Sequence, residues 1–227
     1  MNSSLSSSSR TRAVEIRPLS FILLIYFFIC FPLSQVYFKN SAFLYKNWNL
    51  FFFIITLSIL FSTRKLNLSK IGLSDFDKKH LVSGLALALL PVMVVFFLDT
   101  LIVKTGMAEN DLFSGAELRK PTPFSSLDLL LGGLLSPAIG QLFITGFVLK
   151  ILIKNDSLVI PGNGILYSLI HFDLGMGYLG LGMISAGLVR LTGTLVPAIA
   201  FSMGCSLAKI LILTTYPRVT TVLVFLV

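Results

Sequence analysis

Seven apolar runs, separated by short polar or charged segments, make up most of the sequence. They extend over residues 19–38, 42–62, 81–103, 127–149, 158–173, 176–190 and 194–213. At 1.5 Å per residue, a helix of about 20 apolar residues crosses a hydrocarbon core of about 30 Å. The pattern therefore predicts an all-α fold, a polytopic helical membrane protein with about seven transmembrane helices.

The polar segments divide the chain into one membrane domain and its flanks. Residues 1–18 form a polar, Ser-rich N-terminal segment, and 19–103 contain three peripheral helices. An extramembrane loop follows over 104–126, too short for a domain, and 127–213 form a core of four helices. The apolar end of the C-terminal segment 214–227 is too short to span as a helix. It predicts either a truncated eighth helix or an interfacial stub.

Composition excludes a typical cytosolic enzyme. Hydrophobic residues make up 55% of the chain and charged residues 12%, about half of the 25% found in soluble domains. The mean hydropathy is +0.90. So few charges could not cover the surface of a soluble protein of this size.

The net charge of +8 does not indicate nucleic-acid binding, because the 18 Lys and Arg residues lie almost entirely between the apolar runs. Cations placed in this way set membrane topology. With the N-terminus inside, the cytoplasmic segments hold eleven of them and the external segments six. We therefore expect a cytoplasmic N-terminus and an integral protein of the bacterial plasma (inner) membrane, in contact with the lipid bilayer.

Polar side chains within the apolar runs are the candidates for function, because lipid penalises them. Three core helices each carry a pair of residues four positions apart, which places both members on one helix face. His171 follows Gln141 by 30 residues, and Phe201 follows His171 by another 30. The pairs are Gln141 with Thr145, Tyr167 with His171, and Phe201 with Cys205.

This layout resembles the CPBP family of intramembrane proteases, which includes CAAX-processing endopeptidases and bacteriocin self-immunity proteins. The family carries Pro-x-x-Glu-Glu-x-x-x-Arg-Gly on one helix, Phe-x-x-x-His on the next, and His-x-x-x-Asn on a later one. The matching positions here are Pro137, Gly140, Gln141, Thr145 and Gly146, then Tyr167 and His171, then Phe201 and Cys205. An upstream Lys70-Ile71-Gly72-Leu73 segment is also similar, so that the resemblance covers about residues 70–213.

The resemblance implies a water held and activated by the paired Glu and two His, with or without a metal. This chain departs from that pattern at the functional positions: Gly140 and Gln141 replace the paired Glu, Thr145 the Arg, Phe201 the second His, and Cys205 the Asn. Neither an amide nor a phenyl ring can act as a general base. The motif positions therefore predict that catalysis has been lost.

A metal site is not predicted either, and neither is a cofactor. The three Glu residues, Glu15, Glu109 and Glu117, all lie outside the apolar runs, and His171 is the only core candidate for a ligand. A catalytic zinc ion needs about three protein ligands. Zinc is expected only if the protein is an active protease after all.

Two other catalytic arrangements, which do not use the missing Glu pair, are alternatives to the loss of catalysis. Asp173 could substitute as the acid or base beside His171, if the helix ends before it. Either Ser168, three residues before His171, or Cys205 could act as a nucleophile with His171, although a backbone hydrogen bond is the commoner role of Ser168.

Purely structural roles are the alternative for the same residues. His171 and Gln141 would then join neighbouring helices by hydrogen bonds. Close helix packing would be allowed by five glycines: Gly175, Gly177, Gly180, Gly182 and Gly187.

Three functions follow in order of preference. The first is a CPBP-like protein that no longer cuts and acts as a binding, immunity or scaffold protein. A cavity between helices four, five and seven would then hold a peptide, a prenylated peptide, a lipid tail or a partner membrane helix, with Tyr167 as a binding residue. The second is an active divergent endopeptidase that uses His171. The third, an unrelated small transporter, is disfavoured because intramembrane charges are nearly absent.

Overall fold

The computed structural model of the chain is helical throughout the part that it describes. The described residues are 19–63, 66, 69, 72–73, 77–106, 125–152, 156–173, 175–215 and 219, and none of them lies in a strand. The predicted N-terminal segment, most of the extramembrane loop and most of the C-terminal stub lie outside these residues. The all-α fold class is confirmed.

Seven helices coincide with the seven apolar runs. They are α1 (Leu19–Tyr37), α2 (Ala42–Ser62), α3 (Lys78–Lys104), α4 (Ser126–Ile151), α5 (Asp156–His171), α6 (Met176–Thr192) and α7 (Val196–Thr215).

Five of these helices, α1 to α4 and α7, are long and apolar enough to cross a membrane. The other two are shorter: α5 has 16 residues and α6 has 17, which corresponds to about 24 and 26 Å. Five of the about seven expected spans are therefore supported by helix length and composition, and the count of seven stays a prediction. Four residues, 172–175, separate the two short helices, which pack against each other as a hairpin.

Side chains next to the helix ends define where several helices begin. Ser41 and Asp77 accept hydrogen bonds from the backbone N–H groups of Leu44 and Lys79 at the first turns of α2 and α3. Ser125 and Asp128 form a reciprocal capping box at the start of α4. These bonds satisfy N–H groups that have no partner within the helix.

A hydrogen bond and an ion pair show which helix ends lie together. The Leu195 N–H donates to the Gly72 carbonyl over 2.9 Å, which joins the segment before α3 to the segment before α7. Lys46, near the start of α2, pairs with Asp128, near the start of α4, at 2.6 Å. The starts of α2 and α4 therefore share one end of the bundle, and the starts of α3 and α7 share the other.

Helix packing is closest at glycines. The Cβ of an alanine at Gly182 of α6 would lie 2.6 Å from the Asn163 carbonyl oxygen and 2.8 Å from the Gly164 Cα of α5. At Gly84 of α3, a Cβ would collide with the Pro197 carbonyl of α7. The contact between α3 and α7 is the most extensive in the bundle, followed by that between α5 and α6.

The largest buried cluster joins α1, α2, α4, α5 and the start of α7. Phe53 of α2 stacks on Phe143 of α4 with ring centroids 4.5 Å apart. The Tyr26 ring of α1 is fully buried, and its hydroxyl donates to the Ile170 carbonyl near the end of α5 over 2.6 Å. That carbonyl belongs to the last turn of α5 and has no partner within the helix.

Large apolar side chains cover much of the outer surface. Phe28 of α1 is 75% exposed, and Met93 and Phe97 of α3 are also mostly exposed. An apolar surface of this extent suits lipid rather than water. Together with the five long apolar helices, it indicates an integral membrane protein in contact with the bilayer.

Candidate functional site

Helix α4 carries the candidate site at a change in its winding. Two π-helical segments, Leu129–Leu135 and Leu142–Val148, lie on either side of the α-helical turn Ser136–Gln141. Gln141 is the last residue of that turn, and Thr145 lies within the second π-helical segment. Such segments inside α-helices are frequent at functional sites.

Gln141 is completely buried, and its side-chain amide is fully hydrogen-bonded. Its Nε2 donates to Ser185 Oγ of α6 over 2.7 Å and to Ser202 Oγ of α7 over 2.5 Å. Its Oε1 accepts a bond of 2.7 Å from Thr145 Oγ1 on the same helix. The interhelical hydrogen bonds expected of Gln141 are present.

The hydrogen bonds continue from Thr145 into α5. Asn163 Nδ2 donates to Thr145 Oγ1 over 3.1 Å and to the Gly182 carbonyl of α6 over 2.7 Å. Asn163 is completely buried. The bond to Gly182 falls at the glycine contact between α5 and α6, where the two backbones approach most closely.

Tyr167 completes this group of side chains from α5. Its hydroxyl lies beside the side chains of Ser202 and Gln141. Gly140 lies next to it, and a Cβ at that position would stand 3.6 Å from the Tyr167 hydroxyl, an ordinary contact. We call the six side chains of Gln141, Thr145, Asn163, Tyr167, Ser185 and Ser202 the polar network.

The polar network contains no charged group, although it lies where the resembled family has its paired Glu. Each of its members is buried. Its amides and hydroxyls can hold four helices together, but none of them is a base at neutral pH. In the described part of the chain, no group of three His, Cys, Asp or Glu is placed to hold a metal ion.

His171 lies outside the polar network, at the end of α5. Its ring stacks on Tyr178 of α6 with centroids 4.5 Å apart, and on Tyr167 at 5.1 Å. Its Nδ1 is 2.9 Å from the Tyr167 carbonyl oxygen. His171 therefore joins α5 to α6 through ring stacking, where a hydrogen bond between helices was expected.

Asp173 follows the end of α5 but does not pair with His171. Its Oδ1 accepts a 2.8 Å bond from the Gly175 N–H, and the described structure has no ion pair between the two side chains. Phe172 between them has φ of 53°, a left-handed conformation that is unfavourable for residues with a Cβ. Its ring stacks on Phe31 of α1 at 3.5 Å, which helps to hold this turn.

Ser168 is not joined to His171 either. Its Oγ is buried and has no hydrogen-bond partner, whereas a backbone hydrogen bond was expected. That expectation is wrong: the Ser168 Oγ is left without an acceptor. A Ser–His nucleophilic pair is not formed in this structure.

Phe201 and Cys205, the third motif pair, are also placed away from the polar network. Phe201 is buried in an apolar cluster with Ala88 of α3 and Leu188 of α6, and Cys205 packs against the same cluster. Ser202, the neighbour of Phe201, turns into the polar network instead. Of the matched positions, the structure thus joins Gln141, Thr145 and Tyr167.

Sequence reasoning did not single out three members of the polar network, Asn163, Ser185 and Ser202. Asn163 precedes Tyr167 by four residues, so the same spacing that singled out the motif pairs could have identified it. Ser185 carries no such signal, because a serine in an apolar run commonly bonds its own backbone. Only the packing of α6 on α4 brings it to Gln141.

A pocket adjoins the network at Thr145. It has a volume of about 190 Å³ and lies between α4, α5 and α6, with Leu149, Lys150, Val159 and Arg190 among the residues that line it. This pocket lies between helices four, five and six, and the cavity expected between helices four, five and seven stays a prediction.

Comparisons of the chain with protein-family models, with curated proteins and with solved structures give no match. The resemblance to CPBP proteases therefore stays a prediction from the motif positions of this sequence.

Proposed function

We propose that this chain is an integral membrane protein with a CPBP-like layout that has lost catalysis and acts by binding, as an immunity or scaffold protein. The observation that carries the proposal is the state of Gln141. It stands where the family has a carboxylate, and both polar atoms of its side chain are hydrogen-bonded to buried hydroxyl groups.

Chemistry at this position would need a base. Loss of one general base costs about 10²–10⁴ in rate, and here a potential metal ligand is replaced as well, since Phe201 stands where the second His would be. His171 cannot act with the network, because its ring is stacked between Tyr167 and Tyr178. Hydrogen bonds between helices favour a fixed bundle over a site that holds water.

The partners we propose are the lipid bilayer and a peptide, a prenylated peptide or a partner membrane helix, with no nucleic acid. The pocket of about 190 Å³ is smaller than the roughly 300 Å³ at which drug-sized sites begin. A helix would therefore dock on the exposed apolar faces, such as the one that includes Met93 and Phe97 of α3. The proposed location is the bacterial plasma membrane, with a cytoplasmic N-terminus.

The test compares peptide termini across the membrane proteomes of three strains, one without the gene, one with it intact and one with His171→Ala. We expect the three sets of termini to coincide. Cut ends that appear with the intact gene and vanish in the variant would overturn the loss of catalysis. Stoichiometric zinc in the purified protein would favour the same active alternative.

The binding half of the proposal is tested in the same strains by site-specific photocrosslinking. A photoreactive residue at the exposed Phe97 is compared with one at the buried Phe143. We expect a discrete protein adduct from position 97 and none from position 143. Lipid adducts alone at position 97, and at other exposed apolar positions, would contradict a protein partner.

A further inference from the structure

Helix α7 carries an exposed lysine well inside its length. Lys209 lies 13 residues after Val196, where the helix begins, and six residues before Thr215, where it ends. Its side chain is exposed and makes no ion pair within the part of the chain that the structure describes. The exposed large side chains nearest to it along the helix are all leucines: Leu207, Leu211 and Leu213. Lys209 is therefore a charge on an apolar outer surface.

The depth of Lys209 follows from helix α3, which begins at the same end of the bundle as α7 and packs on it. A Cβ at Gly204 of α7 would collide with the Ala88 Cβ of α3, so these two residues lie at one level. At 1.5 Å per residue, Lys209 is then about 22 Å from the level of Lys78 and about 16 Å from that of Lys104, the two ends of α3. In a hydrocarbon core of about 30 Å, this level is near the middle.

Snorkelling to the interface is the ordinary way in which a lipid-exposed lysine reaches water. The four-carbon stem of lysine covers far less than the distance from Lys209 to either end of α3. The Cα–Cβ bonds of a helix also tilt towards its N-terminus, so the Lys209 side chain starts away from the nearer end of α7. Charged side chains at this depth are costly and usually pair with one another. An anion at the same depth would offset the cost for Lys209.

A second copy of the chain offers no such anion among its described residues. Copies inserted in the same orientation place equal residues at equal depths. Asp99 of α3 lies about 9 Å closer to the end of α3 than the level of Lys209, and Asp128 is already paired with Lys46. The remaining described acidic residues stand at or next to helix ends: Asp77, Asp156 and Asp173. The anion is therefore expected from a different protein.

Lys209 stands on the same face of α7 as the polar network. Ser202 lies seven residues before it, and residues seven apart share a helix face. At Ser202 this face is buried and hydrogen-bonded to Gln141 of α4, whereas two turns further along it is exposed at Lys209 and at Leu213. The bundle thus covers this face at the network and leaves it open beyond.

We propose that this exposed face of α7 binds a partner transmembrane helix that carries an aspartate or glutamate at the depth of Lys209. The ammonium group donates up to three hydrogen bonds, and a carboxylate accepts them more strongly than a neutral group does. The low dielectric of the surroundings strengthens the attraction further. The inference rests on the partner membrane helix of the proposed function and specifies its chemistry. It does not depend on the loss of catalysis.

The test measures the binding of synthetic helices to the full-length protein in phosphatidylcholine vesicles. Each peptide is a Leu-rich transmembrane helix with one central polar residue, either Asp or Asn, and a dye that transfers energy to a second dye on the N-terminus of the protein. The two peptides have the same shape, so a difference in affinity reports the carboxyl group. We expect the Asp peptide to bind about tenfold more tightly, which corresponds to about 1.4 kcal/mol.

An Asp peptide that binds no more tightly than the Asn peptide would overturn the inference. The proposed function would survive that result if the photoreactive residue at position 97 still gives a discrete protein adduct in cells, because that adduct requires no acidic partner. The two failures are therefore distinguishable.

Variants of the protein assign the preference to one side chain. Lys209→Leu is expected to bind both peptides equally, and Lys209→Arg to keep the preference within a fewfold change. The matched control is Lys104→Leu, which removes the same charge from the last turn of α3 and should keep the tenfold preference. A preference that persists in Lys209→Leu, or disappears in Lys104→Leu as well, would overturn the role of Lys209.

Photocrosslinking locates the bound peptide on α7. Leu213, four residues after Lys209, shares its face, whereas Leu211 is equally apolar and exposed but points about 200° away around the helix. With a photoreactive leucine analogue at one position or the other, we expect adducts of the Asp peptide at 213 and not at 211. Equal adducts at both positions would overturn the proposed face. Adducts between two copies of the protein at 213 would overturn the choice of partner.

Discussion

Ser202 and Ser168 show how differently two buried serines are used in this bundle. Each is 1% exposed. Ser202 accepts a hydrogen bond from Gln141, whereas Ser168 Oγ has no partner. A buried hydroxyl contributes to stability only if it is hydrogen-bonded, and otherwise costs free energy.

Substitution by alanine should therefore destabilise the protein at Ser202 but not at Ser168. We expect Ser202→Ala to lower the free energy of unfolding by about 1 kcal/mol or more, because the Gln141 amide loses an acceptor. Ser168→Ala is expected to leave stability unchanged or slightly higher. Thermal unfolding midpoints in one detergent, with both variants side by side, check this. A larger loss for Ser168→Ala would mean that its hydroxyl has a partner.

At the scale of the helices, two facing glycines, Gly182 of α6 and Gly164 of α5, set how closely these helices approach. Close packing was expected at five glycines of the α6 region. The structure shows it at Gly182, which faces Gly164. The expectation is wrong for Gly177, Gly180 and Gly187, where a Cβ would meet nothing within 4 Å. Periodicity cannot distinguish these faces, because glycines occur on several sides of the same helix.

Gly182→Ala and Gly180→Ala test this contact with one matched substitution. At Gly182 the new methyl group would overlap the Asn163 carbonyl and force α5 and α6 apart, so we expect a loss of about 1–3 kcal/mol. At Gly180 the space is open, and alanine is expected to be neutral or to stabilise by up to about 1 kcal/mol. Urea or thermal unfolding in micelles measures both. Equal effects would contradict the close approach.

At the scale of the whole molecule, the short hairpin of α5 and α6 decides how many times the chain crosses the bilayer. Both helices are shorter than the roughly 30 Å core, yet each contributes to the polar network through Asn163, Tyr167 and Ser185. Short helices are tolerated at membrane depth where other helices surround them.

Single-cysteine variants test the membrane topology. They are made in a protein in which Cys30 and Cys205 are replaced by alanine. Lys104→Cys is expected to react with a membrane-impermeant maleimide on intact cells, and Lys79→Cys only after permeabilisation, because the two lie at opposite ends of α3. Asp173→Cys at the α5–α6 turn should react as Lys104→Cys does. If the cysteine at position 173 does not react with the maleimide on intact cells, the hairpin does not reach the outer surface.

Much of the helical layout could be predicted from the amino-acid sequence. Seven apolar runs correspond to seven helices, because a backbone in lipid must satisfy its own hydrogen bonds and a helix does so locally. The spacing of Gln141, Thr145 and Tyr167 likewise placed three members of the network on inward faces. These features depend on residues within a few turns of one another.

The partners of those residues follow from the way the helices pack on one another. Gln141 bonds with Ser185 and Ser202, which are 44 and 61 positions away, and His171 turns to Tyr178 instead of joining them. The pocket between Lys150 and Arg190 exists only where the ends of α4 and α6 meet the start of α5. Composition and local spacing determine that the chain is helical and suited to lipid. The tertiary structure decides which polar groups form hydrogen bonds with one another. Close helix crossings at glycines such as Gly182 set the distances between residues that are far apart in the chain.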